Sequence, residues 1–467
     1  MTVFTQQDLD DFALVSGDWN PIHTSPSDAR RLITGEIVAH GIFVLLRALD
    51  DLCQLSDLTL ATVKCRFLKP IFIETEVQIN VSIISEQKAK ILVTCNSLAC
   101  LSIIITFGGT KNLNTLNKGK YSKQSPSNHE FNELKNSTGI LPILTDLIYM
   151  EKNFPHLINN IGILPTQTLM LSSQIVGMEC PGLNSLFSGL NIKFEVNECL
   201  SELTWMVQRH TLPIAPIKIA ICGGGVSGHL EAFYRPIMVK QASIESIKKV
   251  IKSGMFANQR ALIIGASRGL GELTAKIIVA GGGEVIGTFY NGLNDAERME
   301  EEIGSISGKF KMVQLNILNG DTQNLTSFFK TGFVPSHIYY FASPRIKANK
   351  NNKVDGDLLE IYRQFFVKSF FNCVEAARSV FTKKVVILYP STVFIDENKS
   401  DFKEYVTAKL EGESLYFEQN RQDNIEVCYK RLPRLKTDQT SGILAVNTAD
   451  NFEVMYKVIK ELSLVRE

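Results

Sequence analysis

An aspartate and a histidine five residues apart carry the first chemistry in this chain. Asp18 and His23 stand in Phe12-Ala-Leu-Val-Ser-Gly17-Asp18-Trp19-Asn20-Pro21-Ile22-His23, with Ala29 a little further on. Gly17, Asn20 and Pro21 favour an irregular turn, so the carboxylate and the imidazole project from bent backbone instead of from opposite faces of a helix. Held together, such a pair can position and deprotonate a water and then return a proton, which is what adding water across a double bond requires. Val38-Ala39-His40-Gly41 follows and introduces an apolar helix. The first N–H groups of a helix have no partner within it and could polarise a thioester carbonyl.

A second constellation lies in the last half of the chain. Ala261-Leu-Ile-Ile264 is a short apolar strand that runs into Gly265, Ala266, Ser267, Arg268, Gly269, Leu270 and Gly271, and a helix from Glu272 to Val279 follows. Glycines between a strand and a helix let the backbone approach a pyrophosphate at the helix N-terminus. The next strand, Glu284 to Phe289, ends without an acidic residue to grip a ribose 2′-hydroxyl, while Arg268 offers a cation for a 2′-phosphate. NADP(H) is therefore expected over NAD(H). Two pairs, Tyr405/Lys409 and Tyr456/Lys460, place a phenol and an amine one helical turn apart. In such a pair an ammonium can lower the phenol pKa and make it a proton donor to a carbonyl oxygen.

The elements that must hold these residues fall into three blocks. The chain has 467 residues, and at about 150 per domain roughly three domains are expected. Hydrophobic residues at 45% and charged residues at 21% describe a folded soluble protein. The 49 basic and 48 acidic side chains nearly cancel, so a phosphate-tracking surface for nucleic acid is not indicated. Nine scattered cysteines, with no C-x-x-C pair, read as reduced thiols and not as metal ligands. With a start that lacks the order of a signal peptide, they point to a reducing cytoplasm. Ile91 to Thr110 is uncharged but β-branched and broken by polar residues; it reads as two buried strands, not a membrane span.

Residues 1 to about 112 open with a helix from Gln6 to Val15, continue into an apolar helix from about His40 to Leu52, and end in strand-like runs. Lys111 to Ser137 looks like a solvated linker. In a second block, about 138–238, Thr168 to Val176 and Leu190 to Phe194 repeat the helix after Gly41 and the strand Val63 to Phe67 at an offset near 127, so a weak internal duplication is expected. Its run Cys222-Gly-Gly-Gly-Val-Ser-Gly228 lacks the Lys-Ser/Thr of a phosphate loop and is expected to be a kinked or bulged strand. A linker, 239–257, carries a short helix from Ala242 to Ser253. From 258 to 467 apolar strands alternate with amphipathic helices, the pattern of a parallel α/β sheet.

The string around Asp18 resembles the signature of the R-specific enoyl hydratases, the MaoC-like branch of the hotdog fold, and every position of that signature is matched. The resemblance implies that Asp18 and His23 are the catalytic pair, that Asn20 braces their loop, and that the Gly41 N–H contacts the thioester oxygen. The second block lacks any G-D-x-N-P-x-H, and the resemblance implies a non-catalytic hotdog that closes the sheet and shapes the acyl tunnel.

The third block looks like the short-chain dehydrogenase/reductase family. Ser391 and Thr392, 14 and 13 residues before Tyr405, stand close to the family spacing of hydroxyl to tyrosine, and Tyr456 has no such partner. The resemblance implies Tyr405, Lys409 and Ser391 as catalytic residues and Thr392 at the substrate. It implies Gly265, Ser267, Arg268, Gly269, Leu270, Gly271, Ala342 and Lys409 at the cofactor. The family's Asn-Asn-Ala-Gly appears as Tyr340-Phe341-Ala342-Ser343, its helix Asn aligns with Phe366, and its later Pro-Gly is Pro433-Arg434.

The fold class expected is an α+β double hotdog followed by an α/β Rossmann-like, doubly wound parallel sheet. The function expected is a bifunctional enzyme acting on acyl thioesters of coenzyme A or acyl carrier protein: 3-oxoacyl reductase and (3R)-hydroxyacyl dehydratase. Two alternatives stay open: a hydratase whose nucleotide domain only binds, and a non-enzymatic sensor of acyl thioester and nucleotide. The reductase resemblance implies a homo-oligomer. No metal, membrane or nucleic-acid partner is expected.

Overall fold

The computed structural model of the chain describes residues 2–32, 34–110, 117–195, 201–235, 239–304, 308–318, 322–330, 332–349, 353–419, 424–440 and 447–465. It divides into two compact units, Met1–Ile237 and Met238–Ser441 with Ala445–Glu467. The expected boundaries near 112 and 238 lie outside the described residues, as does Cys199; the other eight cysteines are free. Among the described residues no helix is long and apolar enough to cross a membrane.

The first unit contains β1 (Thr2–Val3), β2 (Leu60–Phe67), β3 (Glu76–Ser85), β4 (Lys88–Cys95), β5 (Leu98–Phe107), β6 (Thr138–Pro142), β7 (Ser185–Phe194), β8 (Glu202–Arg209), β9 (Ile217–Gly223) and β10 (Val226–Tyr234). They form one sheet in the order β1-β3-β4-β5-β2-β7-β10-β9-β8-β6. At its centre β2 pairs antiparallel with β7, and Lys64 faces Asn191, the residue 127 positions later. A strand that meets its own repeat in this register does so about a local twofold, so the duplication becomes a single continuous sheet. Helices α1 (Gln6–Ser16), α2 (Gly41–Leu55) and α3 (Ile163–Gln174) complete the unit. Leu45 and Leu49 of α2, Val63, Leu169 of α3 and Ile192 share one core.

All of α3 is buried, which obliges its polar side chains to find partners. Thr166 and Thr168 donate to Gly162 O at 2.8 Å and Leu164 O at 2.9 Å, and Gln167 reaches Val15 O at 2.9 Å. The helix runs into a π-turn, Ile175–Glu179.

Three local expectations are corrected. The glycine run is a tight hairpin: Gly224 (φ +56°) and Gly225 (φ +76°) form the two-residue turn between β9 and β10, a conformation that side chains resist. The polar segment before residue 137 is not wholly solvated, since Tyr121 and Leu134 are buried and the Tyr121 hydroxyl donates to Pro142 O at 2.8 Å. The linker helix spans only Ile244–Lys248.

The second unit has β11 (Arg260–Ile264), β12 (Glu284–Phe289), β13 (Phe310–Gln314), β14 (His337–Tyr340), β15 (Val385–Thr392) and β16 (Ile425–Leu432), all parallel, in the order β13-β12-β11-β14-β15-β16. Strand alternation sends Ala261 and Ile263 to a core with Leu273 and Ile459, and Leu262 and Ile264 to another with Phe370 and Val374. Helices α4 (Gly269–Ala280) and α8 (Asn451–Leu464) supply the first core; α6 (Ser369–Val380), which follows α5 (Gly356–Arg363), supplies the second. The last long helix before β16 is α7 (Lys403–Gln419). The order reverses at β11 and β14, which opens a crevice at their C-terminal ends.

Truncation at the seam should be costly. Ile192→Ala, at a fully buried position, is expected to destabilise the first unit by about 2–5 kcal/mol, against less than about 1 kcal/mol for the part-exposed Ile104→Ala. Both tryptophans, Trp19 and Trp205, lie in this unit, so urea unfolding of the full chain followed by tryptophan fluorescence reads the difference.

Candidate active sites

Helix α1 ends at Gly17, whose φ of +77° is the left-handed cap that favours glycine; a Cβ there would also come within 2.4 Å of Gln174 Oε1. The chain then turns through Asp18. Asn20 caps the short turn Pro21–Thr24 by accepting from Ile22 N at 3.2 Å, and its Nδ2 donates to Gly177 O at 2.8 Å and Gly182 O at 3.2 Å. The turn that carries Asp18 and His23 is thereby seated on the π-turn Ile175–Glu179.

Asp18 is 1% exposed. Its Oδ1 accepts from Asn20 N at 3.2 Å and its Oδ2 from Ser173 Oγ at 2.6 Å. His23 Nδ1 lies 2.7 Å from Val38 O, and because a carbonyl only accepts, this nitrogen carries the proton. The lone pair of Nε2 is left free, 4.0 Å from Asp18 Oδ2. That gap is too long for a direct hydrogen bond and suits a water held by both groups. His40 Nε2 donates to the main-chain oxygen of Asp18 at 3.1 Å, and its ring stacks on His23 with centroids 3.9 Å apart.

Burial pushes the Asp18 carboxyl up, against the pull of His23, Ser173 and Asn20. It pushes His23 down, opposed by Asp18, and His40 well down, so both imidazoles are kept neutral. Asp18, His23 and His40 offer ligand atoms within 4.8 Å of one another, a metal-site composition that the reading of the cysteines did not consider. With His23 Nδ1 and His40 Nε2 donating to carbonyls, each ring keeps one lone pair, and that of His23 faces the Asp18 carboxylate, an arrangement that can move protons. Helix α2 begins at Gly41 with no side-chain cap from His40, so its N–H end is free to polarise an acyl oxygen.

In the second unit Gly265 has φ +84°, and a Cβ there would lie 3.0 Å from Ala342 N; at Gly271 it would lie 2.1 Å from Gly265 O. The first glycine lets the loop pass the end of β14, and the last lets α4 close on β11. Gly269 (φ +62°) opens α4 with nothing around its missing Cβ, and Arg268 provides no side-chain cap. Ser267 is buried in the loop, and Leu270 packs into the core below it. Arg268 is 30% exposed, with Nη1 3.7 Å from Asp438 Oδ2.

Tyr405 is buried on α7, and its hydroxyl partners Thr392. Ser391, one residue earlier and so on the other face of β15, turns towards Glu413. The hydroxyl beside the tyrosine is that of Thr392. Lys409 Nζ donates to Pro390 O at 2.6 Å and lies 3.8 Å from the Phe366 ring centre, against 5.8 Å from that of Tyr405. Burial lowers Lys409 to about 7, opposed by Glu413, and raises Tyr405 above the usual phenol range. The expected lowering of the phenol by the ammonium is not met: burial raises Tyr405, and Lys409 is turned to Pro390 and Phe366. Tyr456, on α8, stacks on Phe452 and reaches Met255 Sδ at 3.4 Å.

Residues 1–96 match the family model described as MaoC like domain. This stretch is a MaoC-like domain. No curated protein sequence matches the chain. Among solved structures, FolM alternative dihydrofolate reductase 1 from Brucella suis in complex with NADP is 15% identical, covers 44% of this chain and 88% of its own, and has a TM-score of 0.39. The angucycline C-6 ketoreductase LanV with bound NADP is 20% identical over 45% of this chain and 90% of its own, TM-score 0.39. A short-chain dehydrogenase/reductase from Serratia marcescens is 16% identical over 44% and 90%, TM-score 0.39. With scores this low, the reading of the second unit stands on its own glycine loop and strand order.

Three groups at the MaoC-like site escaped the sequence reading: Ser173, Gly177 and the His40 ring. The residue 127 positions before Ser173 is Leu46, so the duplication does not point to it. The available signal was the polar run Ser172-Ser173-Gln174 directly after the apolar Leu169-Met170-Leu171 in a buried helix. Gly177 is required by proximity, since a Cβ would lie 2.3 Å from Asp18 Oδ1.

Gly177→Ala should displace the Asp18 carboxylate and lower hydratase turnover by about a hundredfold with a folded protein, measured as crotonyl-CoA hydration beside a thermal melt. The depressed Lys409 makes a second expectation. Its folded pKa lies below its unfolded one, so the unfolded chain binds the extra proton between them and stability rises as pH climbs from about 7 towards 10. Lys409→Met should remove that rise, at most about 1 kcal/mol per pH unit, in urea unfolding of the second unit followed by circular dichroism.

Proposed function

We propose that the chain is a bifunctional acyl-thioester enzyme, in which a double hotdog, 1–112 and 138–238, interconverts enoyl and (3R)-hydroxyacyl thioesters. A linker at 239–257 leads to a doubly wound short-chain reductase domain, 258–467, that reduces 3-oxoacyl thioesters with NADPH. The observation that carries the reading is the buried Asp18 Oδ2 and His23 Nε2, 4.0 Å apart, with His23 Nδ1 fixed on Val38 O.

A water held between them loses a proton to this pair as its oxygen attacks the β-carbon of the enoyl group. The negative charge that develops on the thioester oxygen is met by the N–H end of α2 at Gly41. The proton returns to the α-carbon, and dehydration is the same path reversed. Neutral imidazole is the form that can accept, and burial keeps it so.

The loop Gly265–Gly271 fits a dinucleotide: Gly269 leaves its Cβ space open, α4 has no side-chain cap, and Arg268 is partly exposed beside it for a 2′-phosphate. NADP(H), when bound, supplies the hydride. Tyr405 would donate its proton to the carbonyl oxygen, Thr392 would orient that oxygen, and Lys409, which here donates to Pro390 O, would help hold the cofactor. The product of this site is the substrate of the other, which is a reason for the fusion.

Purified protein should oxidise NADPH with acetoacetyl-CoA and form enoyl product in the same tube. Tyr405→Phe should cut the oxidation at least about a hundredfold, and Asp18→Asn should remove only the enoyl step. The seating of Lys409 on Phe366 favours a second reading, in which the nucleotide domain binds without turnover. NADPH binding by fluorescence with no oxidation on any 3-oxoacyl thioester, alongside Asp18-dependent hydration, would establish that reading and remove the first.

A further inference from the structure

Arg235, the residue after β10, is the largest fully buried side chain described, 2% exposed. Its Nε donates to Ser185 O at 3.1 Å, its Nη2 to Leu183 O, and its main-chain N–H to Asn184 O at 2.8 Å. Among the described residues no carboxylate pairs with it, whereas Arg363, Arg378 and Arg431 are each held by a glutamate. A buried guanidinium given only carbonyls keeps its charge unneutralised, and that is costly unless the charge serves something.

The loop it grips leads to the catalytic turn. Gly182 O, next to Leu183, accepts from Asn20 Nδ2, and Asn20 N–H donates to the Asp18 carboxylate. The loop therefore hangs between Arg235 on one side and the catalytic turn on the other. The charged and titratable groups around His23 are Asp18 on its own turn, His40 at the head of α2, and Arg235 from the end of β10. Around them α1 brings Gln6 to His23 O and Phe12 to the His40 ring, and α3 with its π-turn brings Ser173 and Gly177 to Asp18. Burial is the main reason His23 is held down, and Arg235, the one permanent cation of the set, adds to it by opposing a second positive charge there.

We propose that Arg235 is a positioning residue of the hydratase site: it pins the loop on which Asn20 is seated, and with that loop the turn that carries Asp18 and His23, and it adds its unneutralised charge to the surroundings of that turn. The proposal rests on the reading of Asp18 and His23 as the catalytic pair.

The test is crotonyl-CoA hydration by the full chain, with kcat/KM followed across pH for wild type, Arg235→Gln and Arg235→Lys. Arg235→Gln should lower kcat about tenfold and move the acid limb of kcat/KM up by about half to one pH unit, because His23 then holds its proton more tightly. Arg235→Lys should keep the wild-type acid limb while losing rate, since it restores the charge but not the paired grip. A folded Arg235→Gln protein whose acid limb stays at the wild-type pH, or a Lys variant whose limb moves as far as the Gln variant's, overturns the proposal. If Arg235→Gln does not fold, Arg235→Met, apolar and of similar length, carries the same expectation. Hydration that survives both Asp18→Asn and His23→Gln would instead overturn the underlying reading of the site.

Discussion

A carboxylate taken out of water must be given hydrogen-bond donors or it takes up a proton and loses its use as a base. Asp18 is in that position, and the donor it most needs comes from more than 150 residues away: Ser173 Oγ at 2.6 Å. The rest of the first unit is arranged to deliver that donor. The turn must lie against α3, so Gly17 and Gly177 have no room for a side chain, and Asn20 ties the turn to Gly177 O and Gly182 O. The twofold seam between β2 and β7 brings the two repeats into one sheet and one core. The second half of the sheet lacks the G-D-x-N-P-x-H string and supplies the wall against which the Asp18 turn packs.

Both sites sit beside a π-turn. Ile175–Glu179 carries Gly177 against Asp18, and Gln364–Lys368 carries Phe366 under Lys409. An extra residue in a helical turn re-aims the side chains beyond it, and such turns recur at functional sites. Here one makes room for a carboxylate and the other supplies an aromatic face to an amine. The consequences differ. Asp18 has His23 and two hydrogen-bond donors to oppose the upward push of burial, whereas Lys409 is buried with one carbonyl and an aromatic surround, and burial lowers its pKa to about 7.

Arginines divide the molecule in a related way. Arg431 is neutralised by Glu413 and Asp396, and Arg298 meets Glu272 in a buried cluster with Lys276. Arg235 has carbonyls alone. Neutralised pairs organise packing with little reach, but an unneutralised charge in a poorly polarisable interior is felt across several ångströms.

Much was legible from local order. The Asp18–His23 turn is marked by Gly17, Asn20 and Pro21, whose backbone preferences act over a few residues. The glycine loop is marked by φ requirements at Gly265 and Gly269 and by the close pass at Gly271. The parallel sheet and the 127-residue repeat are visible in hydrophobic period and self-similarity. What only the tertiary structure decided is everything that depends on facing groups distant along the chain. Ser173 rather than any local residue meets Asp18, and Arg235 grips the loop under Asn20. Thr392 and not Ser391 reaches Tyr405, because strand alternation turns neighbours to opposite faces and a one-residue difference in spacing cannot say which face the helix covers. Propensity and motif operate within a turn or two, while burial, charge and hydrogen-bond satisfaction are set by whatever the fold brings alongside.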